Sequence, residues 1–260
     1  MGRTQLLSKQ QSIVPIVGDA PVRYHRNMFP FDRPSSYGEM LNKIGMFTFL
    51  SALGLTWVVA YFAPSAAAFL HSQTTTVEIL TLKIPLLYVV PAIIIAVPAR
   101  ILRLHNKVSD LFGIRARFDL YRILIPLCGS LQISVDKEFR DKLRTHRQSA
   151  MERTYYAYAS FEEPKISKAL VLSAIDLWTW YWILLEIAVI LAIAGIALVS
   201  LRTYAGATLV FVVLFLATLL FSTYDEVCGK LADAQIEEIV ADAGRATNLK
   251  TEFSNIRIHS

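Results

Sequence analysis

The chain has 260 residues, of which 54% are apolar and only 18% charged, with a mean hydropathy of +0.44. An ordinary soluble domain carries about 25% charged residues, and here the apolar residues fall into long blocks, so the composition excludes a soluble globular protein and points to lipid as the solvent. The net charge of +5 does not signal nucleic acid, because Lys and Arg cluster beside the apolar blocks, as orienting charges do in a bilayer.

Residues 1–43 are polar and hold Arg3, Lys9, Arg23, Arg26, Arg33 and Lys43. They contain no apolar core of a cleavable leader, so the first span is expected to serve as its own insertion signal. They read as a cytoplasmic segment without regular structure. A crossing helix needs about 20 apolar residues. The first such stretch is Ile44 to Ala63, closed by Pro64. The second runs from about Leu80 to Val97, with Lys83 free to snorkel at one end and Pro98 at the other. Pro91 in its middle predicts a kink. These two form a transmembrane hairpin over residues 44–100.

Residues 101–168 hold thirteen Lys and Arg, fourteen with Arg100 just before them, and read as a cytoplasmic helical region. Ile101, Leu104, Val108 and Leu111 repeat at helical spacing, which predicts that the second span continues to Gly113 as an amphipathic helix. A further helix carries Arg115, Asp119 and Arg122 at steps of four and three, and should stop at Pro126 and Gly129. Another covers about Asp136 to Ala159, with Asp136 as N-cap. Phe139, Leu143, Ala150, Met151 and Tyr155 lie on one of its faces, and Tyr155, Tyr156 and Tyr158 read as packing residues.

The apolar block from Ala169 to Leu201 exceeds one untilted crossing. The cluster Trp178, Trp180, Tyr181 and Trp182 marks head-group level, which puts the third span at about Tyr181 to Leu201. Arg202, Thr203 and Tyr204 separate it from a fourth, Ala205 to Ser222, so a second transmembrane hairpin occupies residues 169–222. A cytoplasmic tail, 223–260, carries one helix over about Asp225 to Ala243. Its stripe is Val227, Leu231, Ile236, Ile239 and Val240, its C-cap Gly244, and an irregular end follows. The predicted fold is thus all-α and polytopic, with four transmembrane helices. Basic residues concentrate in segments 1–43, 101–168 and the tail. By the positive-inside rule both termini are cytoplasmic, and the setting is a bacterial-type cell membrane.

No phosphate-binding loop, dinucleotide fingerprint, zinc-hydrolase motif or serine-hydrolase elbow is present. The five histidines (His25, His71, His105, His146 and His259) never stand at helical pair spacing. No cofactor, metal or catalytic residue is therefore expected. Cys128 and Cys228 read as small inert thiols in a reducing compartment.

Glu186 is the sharpest signal. A carboxylate about a turn and a half inside a span costs a few kcal/mol and faces a polar seam, a cavity or a partner. It is either a structural hydrogen-bonding group or part of an ion or proton path. Asp176, ten residues earlier, sits at the interface and reads as structural. Ala188, Ala192 and Gly195 point away from Glu186 and can let a neighbouring helix approach closely. Arg100, Arg103 and Lys107 are topology charges that can also touch anionic lipid.

Three functional classes remain open. One is an oligomeric, channel-like or membrane-perturbing effector controlled by its cytoplasmic helices. A second is a non-catalytic membrane scaffold or accessory subunit docking a cytoplasmic protein. The third, a transporter or membrane enzyme, suits a chain with no repeated half and no broken helix least well. The bilayer and further copies of the chain are the expected partners, with no nucleic acid.

Overall fold

The computed structural model describes residues 32–62, 75–79, 82–200 and 204–259. Arg3, Lys9, Arg23, Arg26, His25, Ala63, Pro64, His71, Leu80, Leu201, Arg202 and Thr203 lie outside the described residues.

The described chain is built of helices apart from one short hairpin, and three of its helices are long and apolar enough to cross a membrane. Helix α1 spans Tyr37–Phe62. A two-stranded antiparallel ribbon follows, β1 (Thr76–Ile79) against β2 (Leu82–Pro85), with Val77 opposite Ile84. The predicted second span therefore starts later than its apolar stretch. Its helix, α2, occupies Leu86–Ile101 and contains both Pro91 and Pro98.

Sixteen residues cover only about 24 Å at 1.5 Å per residue, short of a hydrocarbon core of about 30 Å. Helix α3, Leu104–Phe112, then departs at 62°. The expected continuous helix to Gly113 is thus broken. Pro98 removes a ladder donor, and Arg103 adopts the left-handed conformation (φ 48°). The break rotates the following turn, so α3 buries His105, Val108 and Ser109 while Ile101 and Leu111 stay exposed. Gly113 (φ 61°) caps α3 as its lack of a Cβ allows.

Helix α4 fills residues 114–130 and runs through Pro126 instead of stopping there. A π-helical turn over Asp119–Leu124, with Ile125 N–H bonded to the Leu120 carbonyl five residues back, widens the ladder just ahead of the proline. The predicted long helix from Asp136 is two: α5 (Lys137–Thr145), capped by Asp136 Oδ1 accepting from Phe139 N–H at 2.8 Å, and α6 (Arg147–Arg153). His146 at the joint breaks them, but Phe139, Leu143, Ala150, Met151 and Tyr155 all face the core.

Helix α7 is a single rod, Lys168–Ser200, about 50 Å long at the helical rise. Helix α8 runs unbroken over Tyr204–Val240, so the fourth span and the tail helix are one element. A second π-helical turn, Thr223–Cys228, absorbs what reads as a boundary in the sequence. The buried stripe of its tail is Cys228, Ala232, Ile236 and Ile239, with Val227 turned outward. Gly244 does not end this helix, and the last residues are not irregular. They form α9, Ala243–His259, which opens with Asp242 Oδ1 accepting from Arg245 N–H at 2.8 Å.

The two halves of the molecule bury opposite kinds of surface. Around α4, α5, α6, the lower part of α7, the tail of α8 and α9, a core of Leu124, Leu127, Leu143, Ile239, Leu249 and Phe253 is enclosed by charged residues, as in a soluble domain. In the long helices the large apolar residues point outward: Ile94, Ile193, Phe211, Phe215 and Phe221 are each more than 60% exposed. Alanines, Lys43, Thr48 and Glu186 point inward. Water would drive those faces together; hydrocarbon leaves them where they are.

Contacts fix the relative directions of the long helices. Lys43 meets Asp176, Thr48 meets Glu186, and Leu55 packs in one cluster with Ile190 and Ala194, so α1 and α7 run parallel. Arg100 at the end of α2 returns to Asn42 near the start of α1, and Gly195 of α7 faces Leu209 and Val210 of α8. Helices α2 and α8 are thus antiparallel to them.

Candidate functional site

Glu186 sits where three elements converge. It is 2% exposed. One carboxylate oxygen accepts from Thr48 Oγ1 of α1 at 2.5 Å, and the other accepts from the His105 backbone N–H at 3.2 Å. His105 stands in the first turn of α3, where unpaired backbone N–H groups and the helix dipole favour an anion. Its ring Nδ1 is 3.4 Å from the same oxygen, and the ring leans on Trp182, with centroids 5.9 Å apart. The 62° break between α2 and α3 creates this arrangement, since a straight helix would carry His105 past the carboxylate. His105 Nε2 is buried and has no partner among the described residues.

Asp176 is held one level away. Its Oδ1 accepts from Lys43 Nζ at 3.0 Å, and that ammonium also donates to the Asp32 carbonyl at 3.1 Å and lies 4.5 Å from the Trp180 ring centroid. The Lys43 side chain is wholly buried while Asp176 keeps 21% exposure and has Arg33 Nε at 4.0 Å. Lys43 is thus a structural cation between α1 and α7 besides being a basic residue near a span end.

Ala188 is buried in one cluster with Leu220 of α8, Ala192 is half-buried, and Gly195 lies against α8, where an added Cβ would meet Leu209 Cβ at 3.3 Å. The tightest point of this hairpin is Gly206, whose Cβ would fall 2.4 Å from the Val199 backbone nitrogen. Arg100 donates to Asn42 at 2.6 Å and lies along Gly45, whereas Arg103 and Lys107 are exposed at the bend.

A cavity of about 420 Å³ opens where the long helices enter the helical region. Its apolar wall includes Ile123, Val171, Ile175, Leu177 and Trp178, and His105 and Trp182 join it to the Glu186 cluster. Its charged lining is Arg115 and Asp119 of α4, with Tyr156 beside them. Arg147 and Arg115 both meet Asp119 Oδ2, Arg115 at 3.9 Å, and Arg115 also donates to Tyr156 Oη at 3.4 Å. Asp119 therefore pairs with Arg147 from α6 and not with Arg122, which binds Asp225 of α8 at 2.5 Å. Burial pushes the Asp119 carboxyl above the usual carboxylate range, with Arg147 and Arg115 pulling the other way. Burial likewise raises the phenols of Tyr155 and Tyr156, so both remain protonated donors. Tyr155 donates to Gln235 Oε1 of α8, and Gln235 Nε2 reaches the Leu170 carbonyl.

Sequence reasoning singled out Glu186 and Asp176 but not Thr48, His105 or Lys43, which carry no local signature of pairing. It missed the cavity as well, because its lining comes from six separate stretches of chain. Among the described residues no three His, Cys, Asp or Glu side chains gather as a metal site would require. No curated protein and no solved structure matches the chain. Residues 36–254, from the start of α1 into α9, match the YmfE protein family, and the chain belongs to that family.

Proposed function

We propose that the chain is a non-catalytic, four-crossing protein of the cell membrane, with its termini and the helical region on the cytoplasmic face. In this reading it acts as an oligomeric, channel-like effector whose spans are controlled from the cytoplasmic side. The observation that carries it is the Glu186 cluster. One intramembrane carboxylate ties α1 and α7 to the first turn of α3, and the same His105 that holds it reaches the cavity of the helical region. A change among the cytoplasmic helices that displaces α3 would strip Glu186 of two of its three partners. A carboxylate stripped of partners in hydrocarbon costs several kcal/mol until water or another charge reaches it, which favours a hydrated, rearranged bundle. The break between α2 and α3 departs from the unbroken helices expected of a non-transporter, yet it does not bring the repeated half of a transporter with it.

Overexpression with a potential-sensitive dye tests this. Wild-type protein should depolarise the membrane, and Glu186→Gln, which removes the charge but keeps hydrogen-bonding atoms, should change the extent of depolarisation. Wild-type protein that leaves the potential untouched refutes the effector reading. A terminal tag accessible from outside intact cells refutes the orientation.

The second reading is a membrane scaffold docking a cytoplasmic protein. It is favoured by the engagement of both Glu186 oxygens within one chain, which leaves no carboxylate facing a lumen. It predicts no depolarisation at any expression level.

A further inference from the structure

The geometry points to the 420 Å³ cavity as a binding site for a single-chain amphiphile bearing one anionic group. Ligand pockets run from about 300 to 1,000 Å³ and combine apolar walls with a few convergent polar groups. This cavity has both parts. Ile123, Val171, Ile175, Leu177 and Trp178 form a wall that suits an alkyl chain. The polar groups gather around Arg115, which reaches both Asp119 and Tyr156, instead of being scattered around the lining.

The charge count sets the sign of the ligand. Arg115 and Asp119 are the only Arg, Lys, Asp or Glu among the described lining residues. Asp119 is already closely paired with Arg147, a residue outside the lining, so Arg115, Asp119 and Arg147 together carry one net positive charge. Arg115 holds that excess. Its contacts are long, 3.4 Å to Tyr156 and 3.9 Å to Asp119, and its side chain is 52% exposed. A guanidinium presents five N–H donors in a planar fork suited to a carboxylate or phosphate, and these two contacts occupy few of them. The half-buried phenol of Tyr156, kept protonated, supplies a further hydroxyl beside it. An independent sign that the lining is polar beyond its present partners is His105, 4% exposed with its Nε2 unpaired among the described residues.

The cavity is lined by Trp178 and Trp182 at the end of the long apolar helices, so an amphiphile can enter from the adjoining leaflet or from water. The inference rests on the cavity alone and is independent of what the spans conduct. The test is calorimetric titration of the full chain in phosphatidylcholine nanodiscs. Decanoate is added from water, or lysophosphatidate is built into the disc and its binding read by displacement of a fluorescent fatty acid. Saturable one-to-one binding of either supports the site, and which of the two binds identifies the source.

Arg115→Gln should weaken binding at least tenfold. Ala174→Phe, which places a ring in the empty volume, should abolish it while leaving thermal unfolding unchanged or raised. Should the Phe variant misfold, the charge arm still decides: decanol or decyltrimethylammonium binding as tightly as decanoate overturns the proposal. So does unchanged affinity in Arg115→Gln, or the absence of saturable binding by both anions.

Discussion

Replacing Asp176 by Asn leaves Lys43 as a buried ammonium without a counter-charge, held only by neutral partners: the Asp32 carbonyl at 3.1 Å, the Asn amide oxygen and the face of Trp180. Removing one partner of a buried pair costs about 3–5 kcal/mol because the other charge stays uncompensated. The surviving carbonyl and ring put the expected loss near the lower end, about 3 kcal/mol. The reverse change, Lys43→Met, strands a carboxylate that keeps 21% exposure and has Arg33 at 4.0 Å, so water and a second cation screen it. Its cost should be roughly 1–2 kcal/mol. At about 2–4 °C per kcal/mol for a chain of this size, Asp176→Asn should lower Tm by about 6–12 °C and Lys43→Met by about 2–8 °C. The double variant removes both charges and should recover part of the Asp176→Asn loss.

A thiol-reactive fluorophore in detergent is a suited assay. Cys128 and Cys228 are both buried, and burial pushes the Cys128 thiol up to about 12, so labelling waits for unfolding. The reasoning fails if Asp176→Asn is no more damaging than Lys43→Met, or if the double variant is as unstable as the worse single one.

Gly206→Leu should splay the α7–α8 hairpin, since even a Cβ would fall 2.4 Å from backbone. A loss of about 1–3 kcal/mol or more should appear in the same unfolding assay, with Gly195→Ala distinctly milder. Thr48→Val keeps the shape of the side chain but removes a donor to a carboxylate, worth about 1.5–3 kcal/mol. Its effect should vanish in a Glu186→Leu background, and a thermodynamic cycle that shows simple additivity would contradict the contact. Asp136 is held below the usual carboxylate range by the Phe139 N–H and then by Arg257. A folded value below the unfolded one means its contribution is complete above about pH 4 and is lost as pH falls through the folded value. Protection against hydrogen exchange in α9, anchored through Arg257 and measured relative to the intrinsic rate at each pH, should therefore fall at acid pH in the wild type, and Asp136→Asn should show that lower protection already at neutral pH.

What the sequence discloses and what it hides follow from the range of the forces involved. Hydrophobic block length is a local property, and α1, α7 and α8 all lie where their apolar runs predict. Caps are local too: Asp136 and Gly113 act as their residue types suggest. The errors arise where a local stop signal is overridden by something distant or by a change of helix type. Pro126 and Asp225 both look like boundaries, yet a π-helical turn lies immediately before one and around the other, and Arg122 of α4 neutralises Asp225 of α8 across a separation of 103 residues. Conversely, Arg103 carries no breaker signal, yet it takes the left-handed conformation at the turn, and the first turn of α3 then meets Glu186.

Glu186 marks the limit of such reading most clearly. Its cost in hydrocarbon is legible from one position in one apolar block, which is why it stands out in the bare sequence. Its solution is not legible, since the hydroxyl lies 138 residues away and the backbone donor 81. The donor exists only because an adjacent helix breaks to expose its first turn. A buried charge announces that a compensating group must exist without saying where, and the fold supplies that group through the 62° bend between α2 and α3. The bend and the burial of a carboxylate are one structural solution. A variant that straightens α2 into α3 should therefore become intolerant of Glu186 while tolerating leucine there.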